Sequence, residues 1–215
     1  MAWNWLLSIV DNQRKRGFKK DLASFLELLS PKKSDVILDV GAGLGTLANI
    51  LTEYSDEVFA LEPNEGRVDY IKAKHPQVKA FSGMANQIPF PNSYFDKLYV
   101  TLAFHHFPDQ GDALEEFRRV MKKEGLLLIY EIDPERGNGK RLKFFERKVV
   151  KNKVTFLSLQ ELKNLATSHE FKSLEEKNAK RGYLLLAQNE KTGDEARGWI
   201  EYDSAQFSPA ERSRE

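Results

Sequence analysis

Asp39, Glu62 and the glycines Gly41, Gly43 and Gly45 are the residues whose types and spacing point most directly to chemistry. The glycines fall in the run Val36-Ile-Leu-Asp-Val-Gly-Ala-Gly-Leu-Gly-Thr46, between an apolar stretch and a helical one. Glycine tolerates positive φ and lets a ligand approach the backbone closely. A dinucleotide-binding turn would carry its third glycine one place later, where this chain has Thr46. Asp39, two positions before the first glycine, would repel a pyrophosphate but accept hydrogen bonds from an ammonium group. Glu62 stands where open α/β sheets set a carboxylate against ribose hydroxyls. His105 and His106 offer a candidate general base, because imidazole titrates near neutral pH. The competing reading has one of them packed under the sheet edge and the other capping the next helix. His75 and His169 fall at helix ends and read as structural or solvated. No His/Asp/Glu spacing suggests a metal site, and no two carboxylates pair as acid and base.

Positioning these residues takes strands that end at them. Residues 36–40 read as a buried strand, 46–54 as a helix, 57–61 as the second strand and 64–74 as the next helix. Residues 78–81 and 95–102 are strand-like, 109–122 form an amphipathic helix, and 126–132 are a strongly apolar strand. A helix over 18–29 precedes all of these and stops before Pro31. Ser158, with Glu161 three residues on, predicts a capping box. Strands over 171–176 and 183–188, joined by a polar turn with Asn178 and Lys180, predict an antiparallel hairpin at the sheet edge. Such β-α alternation predicts an α/β fold: a Rossmann-like, doubly wound, mostly parallel sheet of seven strands with an antiparallel C-terminal hairpin.

Here the chain resembles the class I S-adenosylmethionine-dependent methyltransferases, most closely the group containing quinone-biosynthesis-type enzymes. The resemblance spans about residues 35–133 and is carried by Asp39-Val-Gly-Ala-Gly-Leu-Gly45, Leu61-Glu-Pro-Asn64, Gly83-Met-Ala-Asn-Gln-Ile-Pro-Phe90, Phe95-Asp96 and Thr101-Leu-Ala-Phe-His-His-Phe-Pro108. It implies S-adenosyl-L-methionine as cofactor. Asp39, Gly41, Ala42, Gly43 and Gly45 would hold the methionine moiety, and Glu62, followed by Pro63, the ribose. Met84 and Ala85 would lie on the adenine, and Thr101, His105 and His106 would border the methyl-transfer pocket. The family usually has an acidic residue where this chain has Met84, so a polar contact to the adenine amino group is missing; Asn86 is a substitute donor or acceptor. The rival readings are a catalytically inactive S-adenosylmethionine-binding module and an NAD(P)-dependent oxidoreductase, the latter disfavoured by Thr46 and Asp39.

Composition narrows the acceptor. The 215 residues include no cysteine, which excludes thiolate metal sites, a cysteine nucleophile, cytosine-C5 methylation through a cysteine adduct and cysteine-dependent arsenic methylation. The Asn/Asp-Pro-Pro-aromatic tetrapeptide of exocyclic-amine methylation is also missing, its place taken by Thr101-Leu-Ala-Phe104. A formal net charge of +1 argues against a dedicated nucleic-acid binder and leaves a small-molecule acceptor as the expected substrate. No apolar run reaches the ~18–20 residues that span a bilayer, and the basic cluster at 14–20 follows the apolar stretch, unlike a signal peptide. The chain therefore reads as a cytoplasmic protein.

The charge is unevenly placed. Residues 1–34, a helical and basic appendage, hold seven basic and three acidic residues; the insertion 134–157 in the domain 35–189 holds eight basic and two acidic. The polar tail 190–215 holds four basic and seven acidic residues and is expected to be loosely held. The insertion is either an amphipathic helix with a solvated basic face or a lid favouring an anionic substrate. Trp3, Trp5 and the following basic cluster either join that lid or touch a membrane surface.

Overall fold

The computed structural model describes residues 21–135, 154–180 and 182–191. Helix α1 (Leu22–Leu29) leads into β1 (Val36–Val40), α2 (Thr46–Leu51), β2 (Glu57–Glu62), α3 (Glu65–Lys74) and β3 (Lys79–Ser82). After a loop come β4 (Phe95–Thr101), a 3-10 turn (Phe104–His106), α4 (Gln110–Val120), β5 (Met121–Ile132), α5 (Leu159–Ser168), β6 (Phe171–Asn178) and β7 (Gly182–Asn189). The seven strands form one sheet in the order β3-β2-β1-β4-β5-β7-β6. Contacts between β1, β2, β3, β4 and β5 are parallel, and β7 runs antiparallel to both β5 and β6.

Alternation along the strands divides the core between two faces. Leu38, Phe59, Leu61, Leu98 and Val100 meet Leu114 and Phe117 of α4 and Leu162 of α5. Ile37, Val58, Ala60, Tyr99 and Leu128 meet Phe25 of α1, Leu47 and Leu51 of α2, and Val68 and Ile71 of α3. Edge-to-face contacts among Phe59, Phe90 and Phe95, with centroids 4.8–5.6 Å apart, anchor the first face below the loop before β4.

The expected order of elements holds, and the departures lie at their ends. Helix α2 stops at Leu51, three residues short of the expected end, where the Thr52 hydroxyl turns back to donate to the Asn49 carbonyl at 2.8 Å. Strand β5 begins at Met121 rather than at residue 126, because buried Met121 pairs with Phe95 at the start of β4. The hairpin does lie at the edge, but its second strand is the inner one: β7 pairs with β5 and leaves β6 outermost. Ser158 and Glu161 complete the expected capping box. Residues 136–153, which hold all eight basic residues of the insertion, lie outside the described residues, as do 1–20 and 192–215. What is described of the tail is docked. Lys191 is buried and donates to Ser93 Oγ at 3.1 Å.

Candidate active site

Strands β1 and β4 are neighbours, yet one continues outward to β2 and the other to β5. Such a reversal opens a crevice at the carboxyl ends of the strands, where ligands of open α/β sheets bind. The glycine loop follows β1 at this crevice. Gly41, Gly43 and Gly45 all adopt positive φ, at 74°, 60° and 69°. A side chain at Gly41 would come within 2.7 Å of Ala103 Cβ, and one at Gly45 within 2.9 Å of Ile71. Both backbone geometry and space therefore require glycine at 41 and 45. The Gly41 and Ala42 N–H groups both donate to the Leu61 carbonyl, which binds the loop to the end of β2.

Two carboxylates stand behind this loop. Asp39 is 3% exposed, and its polar neighbours are the Tyr99 phenol, beside it in register on β4, and Glu62. Burial pushes the Asp39 carboxyl up to about 8; the Tyr99 hydroxyl partly offsets the rise, and negative Glu62 adds to it. The same burial, with Asp39 alongside, holds the Tyr99 phenol well above its usual range. A buried carboxylate beside a phenol and a second carboxylate is a place for a ligand cation. Glu62, also 3% exposed, accepts at Oε2 from the Gly43 N–H at 2.9 Å. Its Oε1 accepts from the Asn64 N–H at 3.3 Å and from Arg67 Nη1 at 3.2 Å. Pro63 follows it and is exposed, while Asn64 caps α3 through the Arg67 N–H.

The remaining predicted positions ring the crevice. Met84, in an isolated bridge with Gln87, exposes 44% of its surface, whereas Ala85 is buried beside it. Thr101 ends β4, and its Oγ1 is buried without a hydrogen-bond partner. Leu102 follows at φ 52°, a conformation rarely adopted by a branched side chain, so the backbone turns abruptly here. A buried hydroxyl lacking a partner fits a ligand that supplies one.

The two histidines separate. His106 is exposed on the 3-10 turn, and His105 is 1% exposed beneath it. Sequence reasoning missed the residue that holds His105. Glu131, at the end of β5, accepts from His105 Nδ1 at 2.8 Å, from the His105 backbone N–H at 3.1 Å and from the Ile132 N–H at 2.7 Å. Phe156 stacks on the imidazole at 4.4 Å, and the Thr155 N–H donates to the His105 carbonyl at 3.0 Å. Gln110 then joins the Phe104 and Thr155 carbonyls through one amide nitrogen. An acidic residue ending an apolar strand was the available signal, but nothing local tied it to a histidine 26 residues earlier. His75 and His169 cap the ends of α3 and α5. No cluster that could hold a metal ion occurs among the described residues.

Residues 38–129, from the middle of β1 to the middle of β5, match the methyltransferase domain model. This stretch is similar to methyltransferase domains. A methyltransferase of Anoxybacillus flavithermus, itself uncharacterized, is 31% identical to it over 108 residues, 49% of this chain and 51% of that protein. The demethylmenaquinone methyltransferase of Thermotoga maritima is 28% identical over 125 residues, 56% of this chain and 55% of its own length. The chain thus spans about half the length of the curated relatives it matches. Among solved structures, a chain from Bacillus halodurans C-125, assigned as a methyltransferase, superposes with a TM-score of 0.65 at 25% identity, covering 74% of this chain and 71% of that one. The matched stretch includes every predicted cofactor position and both histidines, and it ends two residues short of Glu131.

Proposed function

We propose that this chain binds S-adenosyl-L-methionine in the crevice between β1 and β4 and transfers its methyl group to a small, anionic acceptor. The observation that carries the cofactor reading is the buried Asp39 carboxylate behind a loop of three positive-φ glycines, with Glu62 turned onto the same loop. Asp39 would take the ammonium group and Glu62 the ribose hydroxyls, with Met84 against the adenine and Thr101 Oγ1 supplying a polar contact below. The cofactor, when bound, supplies the activated methyl carbon, so the protein's work is to orient the acceptor and exclude water. The Thr101–Pro108 turn and the strap at 154–157, stitched together through His105 and Gln110, would form the acceptor side. Where a proton must leave the acceptor, His106 is the imidazole open to it; an acceptor already present as a phenolate or enolate needs none.

An anionic acceptor is supported by where the basic segments attach. Glu135, before the basic stretch 136–153, lies just beyond the carboxyl end of β5, and Thr155, after it, donates to the His105 carbonyl. Asp21, the residue after segment 1–20, accepts from the Tyr130 hydroxyl at 2.8 Å and from the Lys180 N–H at 3.0 Å, at the same end of the sheet. The residues that flank both basic stretches therefore lie at the carboxyl end of the parallel strands.

Titration calorimetry with S-adenosylmethionine, S-adenosylhomocysteine and NADPH tests the cofactor half. Heat from both sulfur ligands and none from NADPH is expected; no heat from either sulfur ligand with folded protein would overturn it. Turnover of paired anionic and neutral phenols tests the acceptor half, and a preference for the neutral members would refute the anionic assignment.

A further inference from the structure

The structure assigns Arg67 a role as a placeholder for a ribose hydroxyl on Glu62. This inference rests on the ribose reading of Glu62 given above. A carboxylate oxygen offers two acceptor sites. Oε2 of Glu62 uses one for the Gly43 N–H and keeps one open. Oε1 has both taken, by the Asn64 N–H and by Arg67 Nη1. A vicinal diol bridging the two oxygens needs a free site on each, so one donor on Oε1 must yield. The Asn64 N–H is fixed, because Asn64 is the N-cap of α3 and its side chain closes the first turn. Arg67 is free to move: its side chain is 45% exposed, against 4% for Glu62.

The position of Arg67 supports the same reading. It sits in the first turn of α3, where the helix presents its positive end and a cation is unfavourable. What it gains there is the buried carboxylate of Glu62. In the free protein Arg67 thus neutralises a charge that the fold cannot leave bare. On binding, a ribose hydroxyl replaces the guanidinium, which swings into solvent. Arg67 therefore lowers affinity while supporting the empty site, and its removal should tighten binding.

Calorimetry with S-adenosylhomocysteine on wild type, Arg67→Gln and Arg67→Leu decides the matter. Both variants should bind about three- to tenfold more tightly, the scale of one net hydrogen bond. They should also melt at lower temperature without ligand, since Glu62 loses a partner. The gain should vanish with an analogue lacking both ribose hydroxyls, and in a Glu62→Gln background. Equal or weaker binding by both variants, with ligand bound normally by wild type, would overturn the placeholder role and leave the cofactor reading intact. No uptake of ligand by wild type would overturn both.

Discussion

Glu131, near the end of β5, and His105, on the 3-10 turn after the adjacent parallel strand β4, lie 26 residues apart in sequence and 2.8 Å apart in space, both 1% exposed. The carboxylate receives three N–H donors and so fixes the imidazole, the peptide that carries it and Ile132, the last residue of β5. Glu131→Ala removes all three hydrogen bonds at once. Leaving buried donors unpaired costs ~1–3 kcal/mol each where the chain cannot relax. Loss of about 3 kcal/mol in total corresponds to a fall of about 6–12 °C in melting temperature for a chain of this size. Glu131→Gln keeps the shape but turns an N–H₂ toward a donor, so it should recover only part of the loss. Differential scanning calorimetry of the two variants gives the comparison, and a Glu131→Ala protein melting with wild type would show that the pair does not bear on the fold.

The proposed role of Asp39 makes cofactor affinity depend on pH. Its carboxyl is raised to about 8 in the folded protein, against ~3.9 in an unfolded chain. Between those values the native state holds a proton that the unfolded state has released. Stability from this group is therefore full below about pH 4 and is lost as pH rises toward 8. Asp39→Asn should raise the melting temperature of the free protein at pH 8.5 and make no difference at pH 4. An ammonium-bearing ligand needs the ionised form, so wild-type binding at pH 7 should release close to one proton. Calorimetry in buffers of different ionisation enthalpy counts it. Asp39→Asn should release none and bind more than tenfold more weakly.

Gly45 and Ile71 make a separable steric pair. A Cβ at 45 would lie 2.9 Å from Ile71 Cγ1, and φ there is 69°. Gly45→Ala should therefore lose stability through both strain and overlap, by about 1–3 kcal/mol. Ile71→Ala removes all three atoms that a Cβ at 45 would meet, so the two substitutions together should cost less than the sum of the single losses. Thermal melts of the two single variants and the double variant measure the difference. Strictly additive losses would place the whole cost of Gly45→Ala in the backbone.

Local sequence carried most of the fold, and it failed where distant residues decide. The ends of β1 and, to within one residue, β2 were legible because the apolar runs there stop at Gly41 and Glu62. Asp39, Glu62 and the glycine loop were legible because their chemistry is compressed into one turn and the next strand end. Lys97 was not: it is buried in β4 and pairs with Asp35 at 2.9 Å while donating to the Leu29 and Ser30 carbonyls at the end of α1. Gly182 was not either. A Cβ there would collide with the Glu131 carbonyl, a demand created by β7 entering between β5 and β6. Neither signal exists until the sheet is assembled. The capping box at Ser158 shows the opposite case, since every atom it needs lies within four residues.

Met84 offers the most direct check on the adenine end of the site. It is 44% exposed, so replacing it disturbs little packing. The resembled family usually carries an acidic residue at this position, which hydrogen-bonds the adenine amino group. Met84→Asp restores that acceptor without burying a charge. Affinity for S-adenosylhomocysteine should rise about five- to tenfold, the value of one net hydrogen bond to a ligand amine. The gain should be absent with the analogue whose 6-amino group is replaced by oxygen, because a carboxylate then faces an acceptor. Calorimetry on wild type and Met84→Asp with both ligands isolates the contact from any change in loop conformation. Equal changes for the two ligands would place the adenine elsewhere than against residue 84.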